Sequence, residues 1–213
     1  MPSRAACWHS AVLFRSTDAV ADYLTETATP SRRILGIVGE PGAGKSTIAA
    51  AIAAQLGAAL LPMDGYHLPQ AELVALGRRE RMGAPDTFDV PGFIETLREL
   101  RAGGTVNAAG FDREIEEAVA DSVLIPASAA TIIVEGNYLL LGDGGWERVA
   151  PLLDATFFVS VDRDIRLARL IARHERFGKS PADARAWALG PDERNAVLVG
   201  ASAHAATHTI ALG

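Results

Sequence analysis

Short continuous apolar runs alternate along this chain with segments whose apolar residues recur every three or four positions. Such a pattern is expected when buried parallel strands alternate with amphipathic helices. Residues 33–38 (RILGIV), 58–63 (AALLPM), 131–135 (TIIVE), 155–161 (ATFFVSV) and 207–212 (THTIAL) read as strands, and 122–126 (SVLIP) reads as an edge strand. Ile48, Ile52 and Leu56 mark a helix that Gly57 can end, and Phe93, Ile94, Leu97 and Leu100 share one face of a second. Pro91 lies near the first turn of that second helix, Asp89 suits its cap, and Gly103-Gly104 stops it.

Weaker helices are expected over 17–27 with Thr17 as cap, over 69–76 and over 146–153. A helix starts at Asp162, and another starts at Ser180-Pro181 and is broken by Gly190-Pro191. A last helix covers 192–203 and carries Asn195. Periodicity is weak over 105–130. Neither an internal repeat nor a low-complexity linker interrupts the pattern, so residues 1–213 are expected to form a single domain, with 1–30 an N-terminal extension leading into the first strand.

Composition narrows this picture. The 213 residues can bury a three-layer core, and 49% hydrophobic with 22% charged residues is a globular balance. A net charge of -6 argues against a nucleic-acid surface, so any basic site has to be local. The single cysteine, Cys7, rules out an intrachain disulfide framework. Residues 11–14 are too short an apolar run for a signal peptide, and 48–63 is interrupted by Gln55, Gly57 and Pro62. A cytoplasmic protein without a membrane span is the expectation.

The strongest chemical signal lies between the first strand and its helix. Residues 39–47 read GEPGAGKST and fit the G-x-x-x-x-G-K-[S/T] phosphate-loop pattern in its required strand–loop–helix context. Backbone N–H groups of Gly39, Glu40, Gly42, Ala43 and Gly44 would surround phosphate oxygens at a helix N-terminus, with Pro41, which has no N–H, shaping the turn. Lys45 would reach the β and γ phosphates of ATP, Ser46 would place its hydroxyl on Mg²⁺, and Thr47 would support the first helical turn. Lys45 and Lys179 are the only lysines, and every other basic position is arginine. Lysine is thus kept where a compact ammonium on a flexible stem is useful.

Two acids close apolar strands. Asp64 follows 58–63 and is the candidate general base for an acceptor hydroxyl, with Tyr66 and His67 walling an acceptor pocket; the competing reading of Asp64-Gly65 is a plain turn. Glu135 ends 131–135 as a Walker-B-like acid that would hold Mg²⁺ or orient the nucleophile. Arg166, Arg169, Arg173 and Arg176 fall on one helical face. Followed by Phe177-Gly178-Lys179, that face suits a lid over 163–180 that neutralises transition-state charge; the competing reading is a solvated face paired with Asp162, Asp164 and Glu175. The run Arg78-Arg79-Glu80-Arg81 has the character of a solvated surface.

The pieces GIVGEPGAGKST, PMDGYHLP, RMGAPDTFD, GFDRE, IIVEGNYLLL and RLARLIARHERFGKSP occur in this order over roughly 33–210. Together they resemble the small phosphate-loop kinases grouped around uridine kinase and bacterial pantothenate kinase, among them bacterial members described as nucleoside-kinase-like or as fructose-transport-system kinases. The resemblance implies a P-loop NTPase three-layer α/β/α fold with a mainly parallel five-stranded sheet. It implies catalytic roles for Lys45, Asp64, Glu135 and the lid arginines Arg169 and Arg173, and places Tyr66, His67, Arg81, Arg113 and Asn137 among substrate-binding positions. MgATP is the implied phosphoryl donor, a small-molecule hydroxyl the acceptor, and a homodimer is suggested by analogy. Residues 82–89 (MGAPDTFD) are nearer the pantothenate kinase version, whereas 105–130 follows neither branch. A sugar, a nucleoside, a pantothenate-like molecule or another small polyol therefore stays open as acceptor. The different-class alternative is a nucleotide-binding regulatory protein without transfer; an Asn/Thr-Lys-x-Asp tetrad and an Asp-x-x-Gly after the Walker-B strand, as a GTPase would carry, are missing.

Overall fold

A computed structural model describes residues 11–112 and 114–212 of the chain. In chain order its elements are β1 (Leu13–Phe14), α1 (Thr17–Glu26), β2 (Arg33–Gly39), α2 (Lys45–Leu56), β3 (Ala59–Pro62), α3 (Gln70–Ala75), α4 (Val90–Ala102), β4 (Val106–Asp112) and β5 (Glu117–Ile125). They continue as β6 (Thr131–Gly136), β7 (Ala155–Ser160), α5 (Arg163–Arg176), α6 (Pro181–Trp187), α7 (Glu193–Ala201) and β8 (His208–Ala211).

Six strands form one parallel sheet in the order β1-β8-β7-β2-β6-β3. The sixth, beyond the five read from apolar runs, is the two-residue edge strand β1, too short to leave a pattern. Both β2 and β6 are buried along their whole length, which is why they read as unbroken apolar runs. Their alternate residues feed two cores on opposite faces. Ile34, Val38, Ile132 and Val134 pack with Phe93, Leu97, Tyr138 and Trp146 on the α4 face. Leu35, Ile37 and Ile133 pack with Val20, Leu24, Ile48 and Ile52 on the α1–α2 face. Helices thus cover both sides of the sheet, and among the described residues no helix is long and apolar enough to cross a membrane.

Several local expectations are corrected. The cap of α1 is Ser16, whose hydroxyl accepts from the Ala19 N–H, rather than Thr17. The helix expected over 146–153 is two short 3₁₀ turns, Trp146–Arg148 and Ala150–Leu152, the second with Pro151 in its first turn. Gly190-Pro191 does not break the helical path. A π turn over Ala188–Asp192 accommodates the proline and carries α6 directly into α7. The edge strand read at 122–126 is the end of β5, which pairs antiparallel with β4 as a separate hairpin.

Parallel register sets the site. Glu135 lies opposite Ile37 of β2 on one side and Pro62 of β3 on the other. Two residues beyond those partners come Gly39, which opens the glycine loop, and Asp64. The loop, Asp64 and Glu135 are therefore delivered to one place at the C-terminal edge of the sheet, where open α/β sheets bind ligands.

Candidate active site

The glycine loop spans the turn from β2 into α2. Gly42 and Gly44 have φ of 80° and 91°, in the left-handed region that side chains disfavour. Gly42 also has no room for a side chain: a Cβ there would lie 2.7 Å from Leu170 Cγ and 2.8 Å from the Arg166 carbonyl oxygen. The loop is thus packed directly on α5. Arg169 Nη1 reaches toward the Ala43 carbonyl at 3.4 Å.

Lys45, the first residue of α2, is 7% exposed. Its ammonium donates to the Glu40 carbonyl at 3.1 Å and lies 4.0 Å from Glu135 Oε1. Burial pushes its pKa down, and the neighbouring carboxylates of Glu135 and Asp64 oppose that shift. A buried cation between two strand-end carboxylates is held ready for an anion that would complete its neutralisation.

Asp64 stands in a 3₁₀ turn, Met63–Tyr66, directly after β3. The turn is locked from outside, because a Cβ on Gly65 would fall 2.1 Å from the Ala109 carbonyl oxygen of β4. The His67 ring lies against Phe88 and Phe111, with centroids at 4.0 and 4.9 Å, and its Nδ1 is 2.9 Å from the Asp64 carbonyl oxygen.

These groups line a cleft of about 220 Å³. Lys45, Ser46, Asp64, Glu135 and Asn137 form one end with the loop residues Pro41 and Gly42. His67, Phe88, Phe111, Met82 and Gly83 form a mostly aromatic and apolar wall, flanked by the ion pair of Arg79 with Glu116 at 3.1 Å. The opposite wall comes from α5 to α7: Arg173, His174, Phe177, Lys179, Trp187, Asp192 and Asn195. There His174 Nε2 is 2.7 Å from Asp192 Oδ2, and Lys179 Nζ sits 4.4 Å from the centre of the Trp187 ring. Asn195 donates to the Gly83 carbonyl at 3.2 Å, so it ties this wall to the acceptor wall.

Other candidates lie elsewhere. Tyr66 is turned into the core, where it packs edge-on against Phe93 and its hydroxyl donates to Thr96 at 2.7 Å. Arg81 is exposed and clasps Asp86 with both guanidinium nitrogens, at 3.1 and 2.6 Å. Neither is among the cleft-lining residues. Arg113 lies outside the described residues. The arginine face of α5 is divided: Arg173 lines the cleft, Arg169 stays by the loop, Arg176 is exposed, and Arg166 is buried in ion pairs.

The cleft also contains Arg79, Glu116, Trp187, Asp192 and Asn195, none of which belongs to a motif read in the sequence, and His174, which lies inside the lid segment but to which the sequence assigns no role. Arg79 stood in a run read as solvated, and Asn195 was visible only as a polar position on the last helix.

No group of three or more His, Cys, Asp or Glu side chains among the described residues could hold a metal by itself. The donors facing the cleft, Ser46, Asp64 and Glu135, are oxygens. They suit Mg²⁺, which takes one or two protein oxygens and completes its shell with water and substrate phosphates.

Comparison with known proteins finds related sequences and a related fold. The sequence profile described as phosphoribulokinase / uridine kinase family matches residues 34–180. An ATP-dependent kinase-like protein of Aspergillus versicolor is 43% identical over 133 residues, 58% of this chain and 77% of the relative. A uridine kinase of Clostridium novyi is 30% identical over 144 residues, 66% of this chain and 67% of the relative. Among solved structures, a candidate fructose transport system kinase from Silicibacter sp. TM1040 superimposes with a TM-score of 0.85 at 32% identity, covering 91% of this chain and 98% of that one.

Proposed function

Because the chain belongs to the phosphoribulokinase / uridine kinase family, we propose that it transfers the γ-phosphoryl group of MgATP to a hydroxyl of a small metabolite bound in the cleft. The observation that carries this reading is the convergence of Lys45, Asp64 and Glu135 on one 220 Å³ cleft at the C-terminal edge of the sheet. A binding module needs the loop and its lysine. The second carboxylate, on the acceptor side, is needed only for transfer.

In this reading the loop N–H groups and the α2 N-terminus hold the phosphates, and Lys45 moves from the Glu40 carbonyl onto the β and γ oxygens. Asp64 accepts the proton of the acceptor hydroxyl as its oxygen attacks phosphorus in line with the departing ADP oxygen. Arg173 supplies positive charge to the transferring group from the α5 side, and Arg169 supports the loop. When bound, Mg²⁺ would be held by Ser46 and, directly or through water, by Glu135, and would neutralise developing phosphate charge.

The acceptor wall supports a compact molecule. His67, Phe88 and Phe111 offer ring faces to an apolar side, while Asn137, Asn195 and the Arg79–Glu116 pair offer hydrogen bonds. A sugar such as fructose, a nucleoside or a pantothenate-like alcohol fits that description, and names among the similar proteins include all three classes. The test is ADP release from MgATP against fructose, other sugars, uridine, cytidine and pantothenate. Acceptor-dependent release supports the reading and picks the class. ATP binding with no release on any acceptor would favour a nucleotide-binding protein without transfer.

A further inference from the structure

Behind the glycine loop lies a charged cluster that the transfer chemistry does not use. Arg166 is 2% exposed. Its Nε lies 2.8 Å from Glu40 Oε2 in an ion pair outside hydrogen-bonding geometry, and its Nη2 is bound by Glu193, the first residue of α7. Nη1 points to the Pro41 carbonyl at 3.4 Å. One planar guanidinium therefore touches the loop twice, through the Glu40 carboxylate and the Pro41 carbonyl, and α7 once. Glu193 is fixed in turn by Arg163 Nε at 2.6 Å. On its other side the Glu40 carboxylate rests on α7, where a Cβ on Gly200 would lie 2.8 Å from Oε1.

Burial raises the Glu40 pKa, an effect that Arg166 opposes. Glu193 is likewise penalised by burial, but hydrogen bonds from Arg166 and Arg163 hold its carboxyl below the ordinary range. A buried group of this kind adds little net stability over apolar side chains of the same volume. Its distinguishing property is geometric, since one rigid guanidinium meets Glu40, Pro41 and Glu193 from three different nitrogens, as an ammonium on a flexible stem cannot. The loop it fixes is the one whose Glu40 carbonyl receives Lys45. The helix that carries it also carries Arg169 and Arg173, one and two turns further on.

We propose that Arg166, with Glu40 and Glu193, is a positioning clamp that sets the glycine loop against α5 and α7 in the geometry that binds the nucleotide phosphates. It touches neither substrate and acts through the backbone of 40–42 and the placement of Arg169 and Arg173. The proposal rests on the reading of 39–47 as the cradle for ATP.

The test measures MgATP binding by titration calorimetry, with no acceptor, alongside thermal melting without nucleotide. Binding by the wild type checks the ATP reading itself. Arg166→Met leaves two carboxylates facing each other and should lower both the melting temperature and the affinity. The triple variant Glu40→Gln/Arg166→Met/Glu193→Gln removes that repulsion at similar volume and should recover most of the melting temperature. Its MgATP affinity should stay about 10- to 100-fold below wild type, the scale expected when a binding geometry slips by about an ångström. Arg166→Lys, which keeps charge without the fork, should also fail to restore binding. Recovery of wild-type affinity together with the melting temperature, or wild-type affinity in Arg166→Lys, would overturn the clamp and leave the cluster a structural ion network.

Discussion

At the residue scale, the cleft is a small set of charges whose spacing decides what they can do. Lys45 is buried 4.0 Å from Glu135, close enough for attraction and long enough for a phosphate oxygen to replace the carboxylate as its partner. Arg173 lines the same cleft from α5 and lies near enough to Lys45 to work against its protonation. Two cations that reach one cleft beside the glycine loop suit an anionic ligand there. If Arg173 meets the transferring group, Arg173→Ala should lower kcat by about 10²-fold with a smaller change in ATP affinity. Steady-state kinetics checks this, and an unchanged rate and affinity would leave Arg173 a solvated side chain. Lys45, Asp64 and Glu135 stand out as candidates because Lys45 belongs to the phosphate-loop pattern and each acid lies at or just past the end of an apolar strand, whereas Asn137 enters only through the family resemblance. His174, Asp192 and Asn195 come from helices with no such marker. Their pairing depends on how the π turn brings the start of α7 against α5.

At the element scale, the turn carrying Asp64 depends on a hairpin that the chain does not advertise. Strand β5 buries only Ile125 fully, so apart from the 122–126 run read as an edge strand its residues show no two-residue alternation, and β4, rich in small residues, offers too few apolar side chains to mark a pairing partner. Strands β2 and β6 were plain because both their faces are covered. The hairpin nevertheless supports the turn that carries Asp64, since the Ala109 carbonyl sits where a side chain on Gly65 would go. Gly65→Ala must displace β4 or the turn. We expect a loss of about 1–3 kcal/mol in stability, typical of overpacking, together with reduced transfer as Asp64 moves. Denaturant unfolding and kcat measured on the same preparation check both, and wild-type values would show that β4 is loosely held against the turn. The arginine face of α5 shows the complementary limit. Its periodicity was visible, but which arginines meet solvent, loop or carboxylate depends on Glu40 and Glu193, which lie on other elements.

At the scale of the whole molecule, the side of the sheet far from the cleft, formed by β1 and β8, is closed by a buried histidine. His208 of β8 is 1% exposed among Phe14, Tyr23 and Phe157. Its Nδ1 accepts from the Val12 N–H at 3.2 Å, which leaves Nε2 as the protonated nitrogen facing the Tyr23 hydroxyl at 3.3 Å. Burial lowers its pKa, so the folded state prefers the neutral ring. The stability this gives is present above the ordinary histidine pKa of about 6.5 and is lost as pH falls below it, by at most about 1.4 kcal/mol per pH unit. Melting temperatures between pH 8 and 5 should therefore decline more steeply for the wild type than for His208→Gln. Parallel declines would show that the acid loss arises elsewhere.

The proposed transfer turns on Asp64 as the group that takes the acceptor's proton. The most direct measurement compares Asp64→Asn with the wild type in MgATP binding and in acceptor-dependent ADP release, using the acceptor found active. We predict unchanged ATP affinity and a rate lower by about 10²- to 10⁴-fold. Transfer at the wild-type rate by Asp64→Asn would contradict the assignment.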